Sequence, residues 1–134
     1  MTDFLSSNTM LMLQRSMDFG WTKQSALLDN IVNADTPNYK AKYVTFEEAL
    51  RASLGRANRA GAVGESPVSA MRSVLKTASP RVRTADDETF RMDGNGVNVA
   101  EQEIEMVRNA FQLQHVYRAI NSDINRLQMA IRGQ

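Results

Sequence analysis

His115 is the chain's only histidine, the residue type first examined for general-base or metal-ligand chemistry. In the register set by Leu113 and Tyr117 it faces away from any helical seam, and one outward imidazole lacks the convergent partners that such chemistry needs. Asp86, Asp87, Glu88 and Asp93 place four carboxylates close together, the raw material of a calcium loop. The EF-hand pattern fails, however. Counted from Asp93, the fifth position is Val97 and the twelfth is Ile104, apolar where oxygen ligands are required. Gly94-Asn95-Gly96 lacks the lysine and serine/threonine pair of a phosphate loop. With no cysteine, thiol chemistry, disulfides and cysteine-based zinc or iron–sulfur sites are excluded. No nucleophile–base or paired-acid constellation remains, so the expectation is a non-enzymatic chain with no catalytic residue, metal site or cofactor.

A different concentration of polar residues lies in Asn30-Ile31-Val32-Asn33-Ala34-Asp35-Thr36-Pro37-Asn38-Tyr39-Lys40. Pro37 cannot continue a helix and biases Thr36 away from the helical region. The asparagines and Asp35 bond readily to nearby backbone and compete with the helical ladder. This segment reads as a built stop between a long helix and whatever follows.

Two elements must hold that stop in place. From about Ser7 to Ala34, Met10, Met17, Gln24 and Ile31 recur every seven residues, interleaved with Gln14, Trp21 and Leu28. Gly20 is a blemish worth ~1 kcal/mol against alanine, and the two glutamines weaken the stripe. The C-terminal pattern is cleaner. Asn98-Val99-Ala100-Glu101 resembles a capping box. Met106, Ala110, Leu113, Tyr117, Ile120, Ile124, Leu127 and Ile131 then alternate spacings of four and three, and Gly133 closes the run. Trp21 and Tyr117 read as core residues of these seams. A single antiparallel pair would bury one seam and leave Phe4, Leu5, Leu11, Trp21, Ile104 and Phe111 as surplus apolar surface, which marks an interface.

The fold class is therefore mainly all-α. Residues 1–36 form an N-terminal core helix and residues 98–134 a C-terminal one. Residues 37–97 form a middle segment, with a short helix at about 45–54 opened by Thr45-Phe46-Glu47-Glu48, a flexible stretch over 55–85, and an extended arm and turn over 86–97. The flexible stretch is rich in Ala, Gly, Ser and Arg and buries too little to offset its ordering entropy. Val82, Phe90 and Met92 suit the extended arm, and Gly94 and Gly96 suit its turn. Arg56, Arg59, Arg72, Lys76, Arg81 and Arg83 face only Glu65 across the basic middle, but without aromatic interleaving they do not make a nucleic-acid surface. The net charge of +1 adds no general attraction to polyanions. No run of about 18 apolar residues could span a bilayer, and Met1–Asn8 has neither the basic nor the apolar part of a cleavable signal.

The segment Asn30–Lys40 resembles the N-terminal signature of bacterial flagellar rod and hook proteins, roughly N-L/I-A-N-A-D/N-T-P-G-Y-K. Val32 stands where alanine is usual and Asn38 where glycine is common. The short length, the lack of a large central domain and the run Asp93-Gly94-Asn95-Gly96-Val97-Asn98 narrow the resemblance to proximal rod subunits, with the rod protein FlgC one of the alternatives. The resemblance implies paired terminal helices stacked in the core of a helical tube that transmits torque. It also implies unfolded export through the flagellar type III apparatus without signal cleavage, and residence in the periplasmic rod of the basal body. Implied partners are rod subunits of the FlgC, FlgF and FlgG type, the adaptor FliE, the MS ring, the export apparatus and further copies of the chain. Nucleic acid and direct membrane insertion are not among them.

Seam residues expected to carry assembly are Met17, Trp21, Leu28, Ile31, Leu113, Tyr117, Ile120, Ile124 and Leu127. Asn30, Asn33, Asp35, Thr36, Pro37 and Tyr39 form the signature turn. Phe46 and Leu50 match the short F-x-x-x-Φ pattern attributed to export-gate recognition, and equally the buried face of a short helix. Two other classes stay open at this point: a soluble helical adaptor or secretion chaperone, and a helical nucleic-acid binder whose affinity would fall steeply with salt.

Overall fold

A computed structural model of the chain describes residues 7–45, 66–85 and 92–133, together with Gly55. Helix α1 runs Asn8–Val32, strand β1 Lys42–Thr45, helix α2 Pro67–Thr77, strand β2 Arg81–Thr84 and helix α3 Val99–Arg132. The mainly α-helical class with two long terminal helices is as expected. The proposed helix over 45–54, with its capping pattern, falls almost wholly outside the described residues, as do Phe4, Leu5, Phe46, Leu50 and Asp86–Phe90.

Helix α1 begins where the Ser7 hydroxyl accepts from the Met10 amide at 3.2 Å, which satisfies one of the first-turn donors. It ends at Asn33, whose backbone and side-chain N–H groups both donate to the Asp29 carbonyl. Helix α3 ends as expected, at Gly133 in the left-handed region (φ 71°), whose amide donates to the Met129 carbonyl. Its start differs from expectation. Asn98 is the N-cap but makes no side-chain capping bond. Asn98 and Glu101 are both exposed, so water competes for the orphan amides that a capping box would have bound.

α1 and α3 pack antiparallel. Asn30 faces Gln102, Lys23 faces Glu105, Gln24 and Gly20 face Asn109, and Gly20 also faces Leu113. At 1.5 Å per residue the helices are about 37 and 51 Å long, so the pair is a rod in its own right.

The middle departs from the sequence expectation. Within the stretch read as flexible, Pro67–Thr77 is helical and Arg81–Thr84 is a strand. Two features hold α2. Leu75 and Ala70 are buried, at 1% and 4% exposure, and side chains of α1 bind its carbonyls. Arg15 donates from Nε to the Leu75 carbonyl at 2.8 Å and from Nη2 to the Lys76 carbonyl at 2.9 Å. A cation there meets both the unpaired acceptors and the negative end of the helix dipole. Asn8 donates to the Val68 carbonyl, so α2 runs parallel to the first half of α1. Val82, assigned to an extended arm, lies in β2, while Phe90 of that arm falls outside the described residues and Met92 lies in a turn. β2 pairs antiparallel with β1, Val44 opposite Val82 and Lys42 opposite Thr84.

Candidate functional site

Among the described residues the side chains that could do chemistry lie apart. His115 is exposed on α3, and no group of three potential metal-ligating side chains occurs among the described residues. A cleft of about 700 Å³ between the sheet and the start of α3 is lined in part by Lys23, Lys42, Glu101, Gln102 and Glu105. Three of its charged side chains are paired: Lys42 with Asp29 at 3.1 Å, and Glu105, which accepts from Lys23 at 2.9 Å and from Arg108 at 2.7 Å. The two bonds to Glu105 hold its carboxyl below the ordinary glutamate range. No helix of the described chain is long and apolar enough to cross a membrane.

The polar signature is a knot that joins the two long helices. Asn30, at 0% exposure, uses its whole amide: Nδ2 donates to the Lys42 carbonyl and to Gln102 Oε1, while Oδ1 accepts from the Lys42 amide and the Tyr39 hydroxyl. Because it bonds both backbone groups of Lys42, it occupies the outer edge of β1 as a further strand would. That arrangement fixes where the chain turns back from α1. Burial raises the Tyr39 phenol above the usual tyrosine range, with Lys42 opposing and Asp29 adding to the shift. Lys42 is itself raised, chiefly by its hydrogen bond to Asp29.

Beyond Asn30 the turn is built as its sequence suggests. The Thr36 carbonyl accepts from the Tyr39 amide, Pro37 and Asn38 lie between, and Asn38 has φ 59°. That is the type II pattern, which needs positive φ at the third position. The departure from glycine at Asn38 is accommodated because asparagine enters this region more readily than most residues. The Thr36 hydroxyl donates to Asn33 Oδ1.

The turn before α3 then locks onto it. Asn95, also at 0% exposure, donates to the Asn33 and Thr36 carbonyls and accepts from the Val97 amide. The Asn38 amide donates to the Asp93 carbonyl, and the Gly96 amide to the Tyr39 carbonyl. In the sequence Asn95 stands out only as a member of the glycine turn and of the Asp93–Asn98 run. The signal for its role was a second asparagine-rich turn placed immediately before the second helix.

Of the other signature residues, Asn33 and Tyr39 are half-buried, whereas Asp35, Thr36 and Pro37 are exposed. The expected seam divides. Met17, Ile31, Leu113, Ile120 and Leu127 are half-buried. Trp21 and Tyr117, read as core, stand 63% and 59% exposed, and Leu28 and Ile124 are also exposed.

The inward side of α3 is instead Gln102, Met106, Asn109, Leu113, Val116, Ile120, Asp123 and Leu127, in the same four–three rhythm but turned toward a more polar column. Asn109, at 0% exposure, donates to the Gly20 carbonyl at 2.9 Å and to Gln24 Oε1 at 2.8 Å. Gly20 is needed here, since a Cβ would lie 2.5 Å from Leu113 Cδ2. Gln24 is satisfied rather than merely tolerated.

The surplus apolar surface has a definite place. On α1, Gly20 faces α3, and helical spacing sets Leu27 and Ile31 on the same side; Ala26 and Asn30, one residue earlier, turn toward the sheet. Trp21, Leu28 and Val32, one residue later, are therefore turned about 100° to the opposite flank. The same step on α3 takes Met106, Asn109 and Val116 to Val107, Ala110 and Tyr117. Because the helices are antiparallel, both sets emerge on one side of the pair, where Ile104 and Phe111 continue it.

No protein-family model matches the chain. It is 27% identical over 133 residues to the flagellar basal body rod protein FlgB of Bacillus subtilis, covering 96% of this chain and 97% of that one. To the protein of the same name from Cereibacter sphaeroides it is 30% identical over 113 residues, 84% and 85% of the two chains. To that of Escherichia coli K12 it is 26% identical over 117 residues, 83% of each. With an antiparallel helix pair joined by two interlocked asparagine turns, and likeness of this extent to rod proteins from distant bacteria, the chain belongs to the FlgB family of flagellar basal body rod proteins.

Proposed function

We propose that this chain is a structural subunit of the flagellar basal-body rod, and that its work is mechanical: it forms part of the shaft that transmits torque for motility. The observation that carries the reading is the second apolar face of the helix pair. Trp21, Leu28, Val32, Val107 and Tyr117 are 47–63% exposed apart from Val32, at 80%. A face of large side chains at helical spacing marks an interface, and contacts of this heterologous kind build an open helical array when the rotation does not close. The polar knot supports the reading by fixing the angle at which the chain leaves the pair.

The partners in this reading are further copies of the chain, rod subunits of the FlgC, FlgF and FlgG type, the adaptor FliE and the MS ring. Delivery is through the flagellar type III apparatus without cleavage, to the periplasmic part of the basal body. The division into two core helices and a middle segment over 37–97 belongs to the same reading, and so do the seam and signature residues as assembly determinants. FlgC as the chain's own identity, and a cytoplasmic adaptor or chaperone, are not favoured by relatives that carry the FlgB name.

The test is deletion of the gene, with motility and the completeness of isolated basal bodies scored before and after complementation. Loss of swimming with truncated basal bodies, both restored by the intact gene, is the expected result. Normal swimming and complete rods in the deletion strain would refute the reading.

A further inference from the structure

Helix α3 carries two columns that compete to face α1. Both flank the shared column of Met106, Leu113, Ile120 and Leu127. One, with Ala110, Tyr117, Ile124 and Ile131, is apolar and lies outward; the other, with Gln102, Asn109, Val116 and Asp123, is polar at three of four positions and lies inward. Hydrophobic burial alone favours the opposite choice. A roll of α3 about its own axis by about 50°, half of one residue's step, exchanges the two.

We infer that Asn109 is the positioning residue that sets this roll, holding the apolar column outward where a neighbouring subunit can use it. Its amide reaches the Gly20 carbonyl and Gln24 Oε1 only in the observed orientation. Rolled outward, it would give up both bonds. The residue is not a simple stabiliser, because Asn109 Oδ1 is buried with no hydrogen-bond partner among the described residues. An apolar side chain at that place would leave no such orphan. A buried asparagine that fixes orientation while lowering stability is an established device in helix pairs. Leu113 against Gly20 allows the close approach that the short bonds need. The inference rests on the assembly reading for its purpose, though the roll itself is a property of the single chain.

The test uses the absence of cysteine. Single cysteines at Val116 and Tyr117, adjacent residues on opposite sides of the choice, are alkylated with iodoacetamide in the full-length chain, and the ratio of their rates is taken. Val116 is half-buried and Tyr117 exposed, so Tyr117→Cys reacts faster. In the Asn109→Leu background the ratio is expected to invert, with a melting temperature unchanged or raised. Asn109→Ala, which adds no bulk beside Gly20, is expected to shift the ratio the same way. An unchanged ratio in either variant would overturn the inference. So would a fall in melting temperature or unfolding of Asn109→Leu, since each would make Asn109 a stabiliser. Neither result bears on whether deletion of the gene abolishes the rod, so the two readings fail separately.

Discussion

Gly20 on α1 presents a bare Cα to Leu113 on α3, and a methyl group there would lie 2.5 Å from Leu113 Cδ2 and 2.9 Å from Cγ. Two opposed effects decide what Gly20→Ala does. Helix propensity alone gains about 1 kcal/mol. Overpacking a closed contact costs about 1–3 kcal/mol, and Cγ, a branch point, cannot swing clear as a side-chain tip could. The expected net result is a less stable chain by urea denaturation. Gly20→Ala combined with Leu113→Ala should show a favourable coupling between the two changes. Strict additivity would mean that the close contact is not what Gly20 serves.

Asn30 should be intolerant of even its closest relatives. Asn30→Asp keeps the shape but removes both donor bonds, to the Lys42 carbonyl and to Gln102 Oε1, and buries a charge between acceptors. A buried group left unsatisfied costs about 1–3 kcal/mol, and more if charged. The loss should therefore be larger at pH 7 than below the carboxyl's own pKa. Amide exchange at Lys42 in Asn30→Ala, which removes the acceptor as well, is the local readout, since that N–H is bound by Asn30 Oδ1. Unaltered protection of Lys42 in Asn30→Ala would refute the edge-closing role.

Asn38 has φ 59° in the turn that glycine more often occupies in the family signature. Asn38→Gly should be close to neutral, whereas a β-branched residue must carry a left-handed penalty of about 1–2 kcal/mol. Gly94 is the complementary case: it has φ 79°, and a Cβ there would lie 2.6 Å from Asn38 Oδ1. Gly94→Ala should therefore destabilise the junction, while Gly133→Ala, also at positive φ but with open space around it, should register only the backbone strain. Equal effects of the two alanines in thermal melts would show that the Asn38 contact is immaterial.

The acid limb of stability should depend on Glu105. Its folded pKa is lowered, first by the hydrogen bond from Lys23 and then by that from Arg108. A carboxyl lowered on folding contributes stability that is complete above its unfolded value of 4.5, and that contribution is lost as pH falls through the lower folded value. Glu105→Gln should thus flatten the fall in denaturation midpoint below about pH 5 and leave the slope at neutral pH unaltered. A variant whose acid limb matches the parent's would mean that Glu105 is too well solvated to matter.

What was legible in the sequence follows from which forces wrote it. The column Met106, Leu113, Ile120 and Leu127 was readable because burial selects it directly. Its companion was misread, because the inward set includes Gln102, Asn109 and Asp123, which a search for apolar periodicity passes over. The turn at Pro37 was legible from its backbone chemistry, whereas its lock with Asn95 depends on residues some sixty positions away. Helix α2 was missed for a related reason. Composition reports that Gly55–Ala85 buries little, and among its described residues only Ala70 and Leu75 fall in the core. What composition does not report is that Arg15 and Asn8 bind α2 carbonyls from another helix.

On the rod reading proposed above, Trp21 and Leu27 separate assembly from folding most sharply. Leu27 is 6% exposed in the α1–α3 interface, so Leu27→Ala should cost about 2–5 kcal/mol through lost burial and a cavity. Trp21 lies 63% exposed on the outward face, so Trp21→Ala should change the stability of the isolated chain by no more than about 0.5 kcal/mol. In cells the order reverses for a given stability loss. Trp21→Ala, at normal abundance, should shrink swarm diameter because a neighbouring subunit loses its anchor. A temperature-sensitive Leu27→Ala should swim wherever it remains folded. Full motility of Trp21→Ala together with Val107→Ala, also on the outward face, would move the assembly face elsewhere on the helix pair.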